Sequence, residues 1–456
     1  MISPYLVFTA LVSAMGGLLF GYDWVVIGGA KPFYEAYFHL TKPADEAWAM
    51  SCALIGCLVG ASASGYLSER LGRRVALLIS ACMFTASSVG TGMATSFLGF
   101  VAWRLSGGLA IGLASSLSPT YIAEISPAKS RGKFVCLNEL TIVIGILAAQ
   151  IVNWLIARPV AQNSTILQIR QSWNGQMGWR WMFAATAVPS AIFFAGLLFI
   201  PESPRWLARK GFHQKALEAL RHLGAEEDAS LVLRKIESPI GDATTGWQAT
   251  FSRRYLSRLL TIGITLAVLQ QWCGINVIFN YAQEVFSAAG YGLSSVLFNI
   301  VITGTVMCVF TVVAIMTVDR LGRRRLMLIG CSGLSTLYVV LGYLYHRQQH
   351  GWPILLLVVT AIACYAMTLA PITWVILSEI FPNEIRSQAM AISSAALWAA
   401  CFLLTYTFPL MNAALGTART FWTYAIICAM GYAFVHLHLP ETKQKTLEEI
   451  QSSWGP

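Results

Sequence analysis

Twelve separate stretches of about twenty apolar residues run through this chain: 5–29, 47–67, 75–95, 98–122, 134–157, 181–200, 259–285, 293–318, 326–346, 353–378, 387–411 and 418–438. About 20 apolar residues is what a helix needs to cross the roughly 30 Å of hydrocarbon in a bilayer. Only helices and closed barrels satisfy their backbone in lipid. These runs are continuous rather than alternating, so they predict helices. The composition agrees: 56% of the 456 residues are apolar and 11% charged, where a soluble domain carries about 25% charged. The fold class is therefore an all-α membrane protein with twelve transmembrane helices. An ordinary cytosolic enzyme, a disordered chain and a disulfide scaffold are excluded.

The formal net charge is +10. Lys and Arg fall in short clusters between the apolar runs, with no long basic tract, so the excess reads as topology information and nucleic acid is not an expected partner. An even number of spans puts both ends on one side. If that side is cytoplasmic, the inner segments hold 23 Lys and Arg and the outer loops seven, Lys31 among the seven. That bias predicts both termini in the cytoplasm. No Lys or Arg precedes the first apolar run, so the first span lacks the basic start of a cleaved signal peptide.

Ten cysteines lie within or at the edge of apolar runs, with no Cys-x-x-Cys pair. They read as small packing residues rather than disulfides or metal ligands. No phosphate-binding glycine loop, nucleophile elbow or metal-ligand spacing is present, so neither an enzyme, a cofactor nor a metal site is expected.

The two halves of the chain echo each other. Glu69-Arg70-Leu71-Gly72-Arg73-Arg74 follows span two, and Asp319-Arg320-Leu321-Gly322-Arg323-Arg324 follows span eight, 250 residues later. Glu124-Ile125-Ser126-Pro127 with Arg131 is matched by Glu379-Ile380-Phe381-Pro382 with Arg386; Pro201-Glu202-Ser203 is matched by Pro440-Glu441-Thr442. Three pairs in one order make a parallel repeat of six plus six spans, an arrangement that places a substrate site between the halves near the bilayer midplane. The expected organisation is a six-helix half over 1–200, a linker over 201–258, a second half over 259–438 and a short cytoplasmic tail over 439–456. Within the linker, Ala216, Leu217, Leu220 and Leu223 recur at helical spacing and predict a short amphipathic helix.

An acidic residue deep in a span costs about 2.5–3.5 kcal/mol on insertion scales, so Asp23 is a paired or functional group. Gln270, Gln271 and Asn276 offer donors and acceptors without charge, which suits hydroxyls, although their spacing does not form one helical face. Trp374 follows Pro371 and presents a flat apolar surface with one donor.

Taken in order, these motifs resemble the sugar porters of the major facilitator superfamily. The resemblance rests on Gly16 to Asp23, the two Arg-rich loops, Arg104 with Gly107, Gly108 and Gly112, and Pro119-Thr120-Tyr121 with Glu124, Arg131 and Gly132. It continues through Pro201 to Leu207, Gln270-Gln271 with Gly274-Ile275-Asn276, Pro371 with Trp374, and Pro440-Glu441-Thr442. It implies the major facilitator fold of two six-helix halves. It also implies proton-coupled import of a monosaccharide or polyol by alternating access. The alternatives are a facilitative uniporter, or a carrier of a non-sugar organic solute on the same fold.

Carried onto this chain, the resemblance implies proton coupling by Asp23 with Arg104. It implies substrate contacts from Phe20, Glu139, Gln270, Gln271, Asn276, Asn280, Trp374 and Trp398. It implies cytoplasmic salt bridges among Glu69, Arg73, Glu124, Arg131, Asp319, Arg323, Glu379 and Arg386. The implied setting is a cell membrane, the bacterial inner membrane, and a monomer whose partners are sugar, protons and lipid. Paired with Arg104, Asp23 stays charged; parted from it, the protonated form is the cheaper one to bury. Four positions depart from the family pattern. Glu139 stands for a Gln, Met307 for an Asn, Leu397 for a polar amide and Asn280 for the first of two gating Tyr. Glu139 reads as a substrate contact, with a second proton site and a structural group as the alternatives.

Overall fold

In the computed structural model every regular element among the described residues is a helix. The structure describes residues 3–127, 131–161, 164–224, 229–230, 233, 253–381 and 386–440. In chain order the helices are α1 Pro4–Phe38, α2 Pro43–Leu71, α3 Arg73–Met93, α4 Phe97–Ile125, α5 Arg131–Ile156, α6 Ile166–Gln171, α7 Trp179–Ala184, α8 Ala187–Leu198, α9 Pro204–Arg209 and α10 His213–His222. They continue as α11 Arg253–Trp272, α12 Ile275–Asn280, α13 Ala282–Ala288, α14 Leu293–Leu321, α15 Arg323–His346, α16 Trp352–Met367, α17 Leu369–Ile380, α18 Arg386–Leu415 and α19 Thr417–His438. A π-helical turn over Asn174–Gly178 leads into α7.

Among the described residues twelve segments are long and apolar enough to cross a membrane, and they fall where the apolar runs predict. Four depart from a simple rod, the sixth through its π-helical turn and the break between α7 and α8. Helix α1 continues through Pro32 to Phe38, nine residues beyond the expected end, and so draws Lys31 out of the loop assigned to it and into the helix. The seventh span breaks between α11 and α12, where Gly274 takes a left-handed conformation at φ 87°; a side chain there would also meet the ring of Tyr424. The tenth breaks between α16 and α17 at Thr368, with φ −124° and ψ −88°. Large apolar side chains such as Leu98 and Met316, 80% and 72% exposed, point outward from the spans, which is costless only against lipid.

The sequence repeat is a structural repeat. Gly72 and Gly322 precede α3 and α15 with φ 94° and 90°. The next residues but one do equivalent work: Arg74 donates to the carbonyls of Leu197 and Leu198 at the end of α8, and Arg324 donates to the carbonyl of His436 at the end of α19. Helix α3 packs on α4 and α8, and α15 packs on α16 and α19. In the linker, α10 turns Ala216, Ala219 and Leu220 inward, packed with Leu207 and Ala208 of α9.

The chain divides into two compact units. One comprises residues 1–24, 55–148 and 180–243; the other comprises 25–54, 149–179 and 244–456. The boundaries run through α1, α2, α5 and α7, so neither unit coincides with a run of six consecutive spans.

Candidate functional site

The first unit holds Asp23, Arg104 and Glu139. Asp23 on α1 and Arg104 on α4 are 4% and 3% exposed. The Arg104 Nη1 donates to both carboxylate oxygens, at 2.8 and 2.9 Å. The guanidinium also lies over the ring of Phe183, 5.4 Å from its centroid. An ion pair buried this completely holds only while both partners stay; losing one leaves an uncompensated charge. Phe20, one turn before Asp23, is half-buried and meets Trp24 edge-on at 5.9 Å. Glu139 on α5 is half-buried too. Unlike Asp23 it has neither a salt bridge nor a hydrogen bond among the described residues. Its neighbours Asn138 and Thr141 face Gly17 of α1, and the Thr141 hydroxyl donates to the Ala14 carbonyl at 2.8 Å.

The second unit holds the amides. Asn276 Nδ2 donates to Gln271 Oε1 at 2.5 Å, Gln271 Nε2 to Gln270 Oε1 at 3.4 Å, and Gln270 Nε2 to the Ala370 carbonyl at 3.0 Å. A chain of three amides thus ends on the residue before Pro371. The residues sit five and six positions apart, which no continuous helix would bring onto one face. The left-handed turn at Gly274 is what brings Asn276 back to Gln271. All three are less than 10% exposed. Trp398 on α18 is buried at 5%, Trp374 on α17 is half-buried, and Asn280 closes α12. The departure positions Met307 and Leu397 are buried apolar side chains. Tyr281, which follows Asn280, donates its hydroxyl to the Thr405 carbonyl at 2.6 Å and packs on Phe408 at 4.6 Å.

A further charged centre in this unit was not legible as one. Lys31, 3% exposed at its side chain, pairs with Glu35 at 2.9 Å, with Glu46 at 3.8 Å and most closely with Glu284 of α13. The Lys-Pro dipeptide reads locally as a loop; the surviving signal was the i, i+4 spacing of Lys31 and Glu35.

The charged loops assemble in part. Arg73 donates through Nε and Nη2 to Glu124 at 3.0–3.2 Å and through Nη1 to the Ser68 carbonyl. Ser203 donates to Glu124 as well. Glu202, a motif residue without an expected role, caps α3: the backbone N–H groups of Arg73 and Arg74 donate to its carboxylate at 2.8–3.1 Å. Burial pushes the Glu202 carboxyl above its ordinary value, against the opposing pull of the N–H donors of Ser203, Arg74 and Arg73. Glu69 departs from the expectation. It is exposed, its side chain makes no ion pair among the described residues, and only its carbonyl is engaged, by Trp206 at 3.0 Å. Arg323 opens α15. The side chains of Arg131, Asp319, Glu379 and Arg386 lie outside those described. Among the described residues no cluster of three or more metal-ligating side chains occurs.

Comparison with known proteins supplies the context for this arrangement. Residues 9–454 match the family model described as "Sugar (and other) transporter". The chain is 37% identical over 487 residues to the D-xylose-proton symporter of Escherichia coli (strain K12), covering 100% of this chain and 96% of that one. It is 36% identical over 451 residues to the arabinose-proton symporter of Bacillus subtilis (strain 168), covering 99% and 95%. Among solved structures it resembles the partially occluded inward open conformation of the xylose transporter XylE from E. coli, with a TM-score of 0.85, 34% identity and coverage of 97% and 100%.

Proposed function

The chain belongs to the sugar transporter family of the major facilitator superfamily, and from that premise we propose that it imports a monosaccharide or polyol together with a proton by alternating access. It is a transporter and not an enzyme. The observation that carries the proton half of the reading is the buried Asp23–Arg104 pair. The two residues belong to different helices, so protonating Asp23 releases Arg104 and loosens the contact between α1 and α4. Neutralisation of Asp23 is therefore tied to a helix movement rather than to a local change of charge.

The sugar half rests on the amide chain of Gln270, Gln271 and Asn276 with the indole of Trp374. These groups recognise hydroxyls without demanding a charge on the ligand. Phe20, Glu139, Asn280 and Trp398 complete the proposed contacts. An ionised Glu139 accepts sugar hydroxyls through charge-assisted hydrogen bonds, which are stronger than those of an amide. The Arg73–Glu124–Ser203 cluster and the cap from Glu202 hold the ends of α2, α3 and α4 together and bias the equilibrium between states without touching sugar. The Lys and Arg bias supports both termini in the cytoplasm, and the bacterial relatives support the inner membrane. The two-half architecture supports a monomer.

One proton moving down about 100 mV supplies roughly 2.3 kcal/mol, enough to accumulate sugar about forty-fold. The test is uptake of labelled D-xylose, L-arabinose, D-glucose, D-galactose, D-fructose and myo-inositol into proteoliposomes with and without an inward proton gradient. The reading expects one of them to accumulate only when the gradient is present. Equilibration indifferent to the gradient would make the protein a uniporter, and no uptake of any of the six would remove sugar as its cargo.

A further inference from the structure

Beyond the amide chain, four buried amides of the second unit, one of them the proposed sugar contact Asn280, have hydrogen bonds left incomplete among the described residues. Gln150 on α5 is 1% exposed, and neither its Oε1 nor its Nε2 has a partner among the described residues. Asn153, one turn on and 2% exposed, donates to the Val26 carbonyl at 3.0 Å, but its Oδ1 has no partner. Asn280 on α12 has an unpartnered Oδ1 at 5% exposure, and Asn299 on α14 an unpartnered Nδ2 at 4%. Buried polar atoms are normally paired, and each exception asks for an explanation. Here five such atoms lie on four side chains.

The backbone brings their helices together. Gly29 of α1 lies against the Asn153 side chain. The adjacent Gly28 lies against the carbonyls of Phe279 and Asn280, at 2.8 and 3.1 Å from where its Cβ would be. Gly304 of α14 leaves the space in which the Gln150 amide sits, and a methyl group there would overlap Oε1. Helix α1 therefore meets α5 and α12 at Gly29 and Gly28, and α5 meets α14 at Gly304, which puts the Asn153 and Gln150 side chains in these contacts. All of these residues belong to one compact unit.

We propose that Gln150, Asn153 and Asn299 form, with Asn280 shared from the first set of contacts, a second subsite for a neutral polyhydroxylated ligand, occupied by the sugar in transit. The inference rests on the transport reading above and extends it. Three of the unpartnered atoms accept and two donate, which matches hydroxyl groups, since each hydroxyl does both. An anion would face three acceptors, and among the described residues no charged side chain is hydrogen-bonded to any of the four amides to hold a charged ligand. The positions continue the faces of proposed sugar contacts. Gln150 lies eleven residues, three helical turns, beyond Glu139 on α5, and Asn280 one turn beyond Asn276. A sugar moving along these faces passes from one set of amides to the next.

The test uses the full-length protein in proteoliposomes with the sugar that the panel above identifies. In Gln150→Leu/Asn299→Leu, near-isosteric apolar side chains remove three of the five atoms. Gly304→Ala is an independent variant that displaces the Gln150 amide without removing a polar group. The expected result is a rise in KM of about three- to tenfold for each. Meanwhile the thermal midpoint of the sugar-free double variant stays level or rises, because unpaired polar atoms have gone. Unchanged transport constants with a raised midpoint would overturn the subsite and leave amides that hold water only. Should the double variant fail to fold, Gly304→Ala alone decides, and a wild-type KM in it overturns the proposal. If the wild type moves none of the sugars, the transport reading falls and the subsite with it. If the wild type moves a sugar and the variants match it, only the subsite falls.

Discussion

Asp23 and Glu139 are both carboxylates inside the first six spans, and the surrounding helices treat them in opposite ways. Asp23 is held by both oxygens on Arg104, whereas Glu139 meets no cation and no donor among the described residues. The difference separates two tasks. A carboxylate that is paired across two helices takes up a proton only by giving up its partner, so its charge is linked to the arrangement of those helices. A carboxylate without a partner changes charge and moves nothing, so it adjusts how tightly a ligand is held but not which conformation is favoured. Asp23 is accordingly the coupling group of this account and Glu139 the affinity group.

Four substitutions break or sharpen that comparison. The largest effect belongs to Asp23→Asn, which keeps the size of the side chain and removes its titration. Gradient-driven accumulation, about forty-fold for the wild type at about 100 mV, falls to one, while exchange of labelled for unlabelled sugar across the membrane persists. Counterflow and net uptake in the same vesicles separate the two. Next comes Arg104→Gln. Leaving a buried charge without its partner costs about 3–5 kcal/mol, so the thermal midpoint falls sharply and accumulation is lost. Adding Asp23→Asn to it removes the stranded charge and restores most of the midpoint, which a thermal unfolding cycle of the four proteins measures.

Glu139→Gln has a smaller and different effect. It keeps full accumulation and changes KM by about tenfold or less. The change is a weakening, because the charged form is the stronger acceptor. Loss of accumulation in Glu139→Gln would merge the two carboxylates into one task and break the comparison. The smallest effect is that of Glu284→Gln. Lys31 keeps Glu35 and Glu46, and Glu284 is 26% exposed at its side chain. The loss expected of a partly exposed pair is about 1 kcal/mol or less, read from the thermal midpoint with transport retained.

The spans were legible because a helix in lipid must be apolar along its whole length, and that demand is written locally in the chain. The repeat was legible for the same reason, since each half writes its own Arg-rich loop. What the residues did not disclose depends on distant partners or on backbone breaks. Lys31 reads as a loop residue because Pro32 follows it, and only helix α1 running on to Phe38 carries it to Glu284, 253 positions away in the chain. The cap that Glu202 gives to α3 joins residues 128 and 129 apart, with no local pattern to betray it. Gln271 and Asn276 looked mismatched until the left-handed Gly274 was placed between them. Gln150 and Asn299 are single amides within apolar runs, and nothing next to them in the sequence marks them as buried polar groups.

The central claim is that the coupling proton resides on Asp23. Its most direct test is the proton movement triggered by sugar in lightly buffered proteoliposomes, followed with an external pH indicator for wild type, Asp23→Asn and Glu139→Gln. The account predicts that adding the transported sugar outside alkalinises the external medium for wild type and Glu139→Gln and leaves it unchanged for Asp23→Asn. A sugar-induced proton signal that survives in Asp23→Asn and vanishes in Glu139→Gln would contradict it.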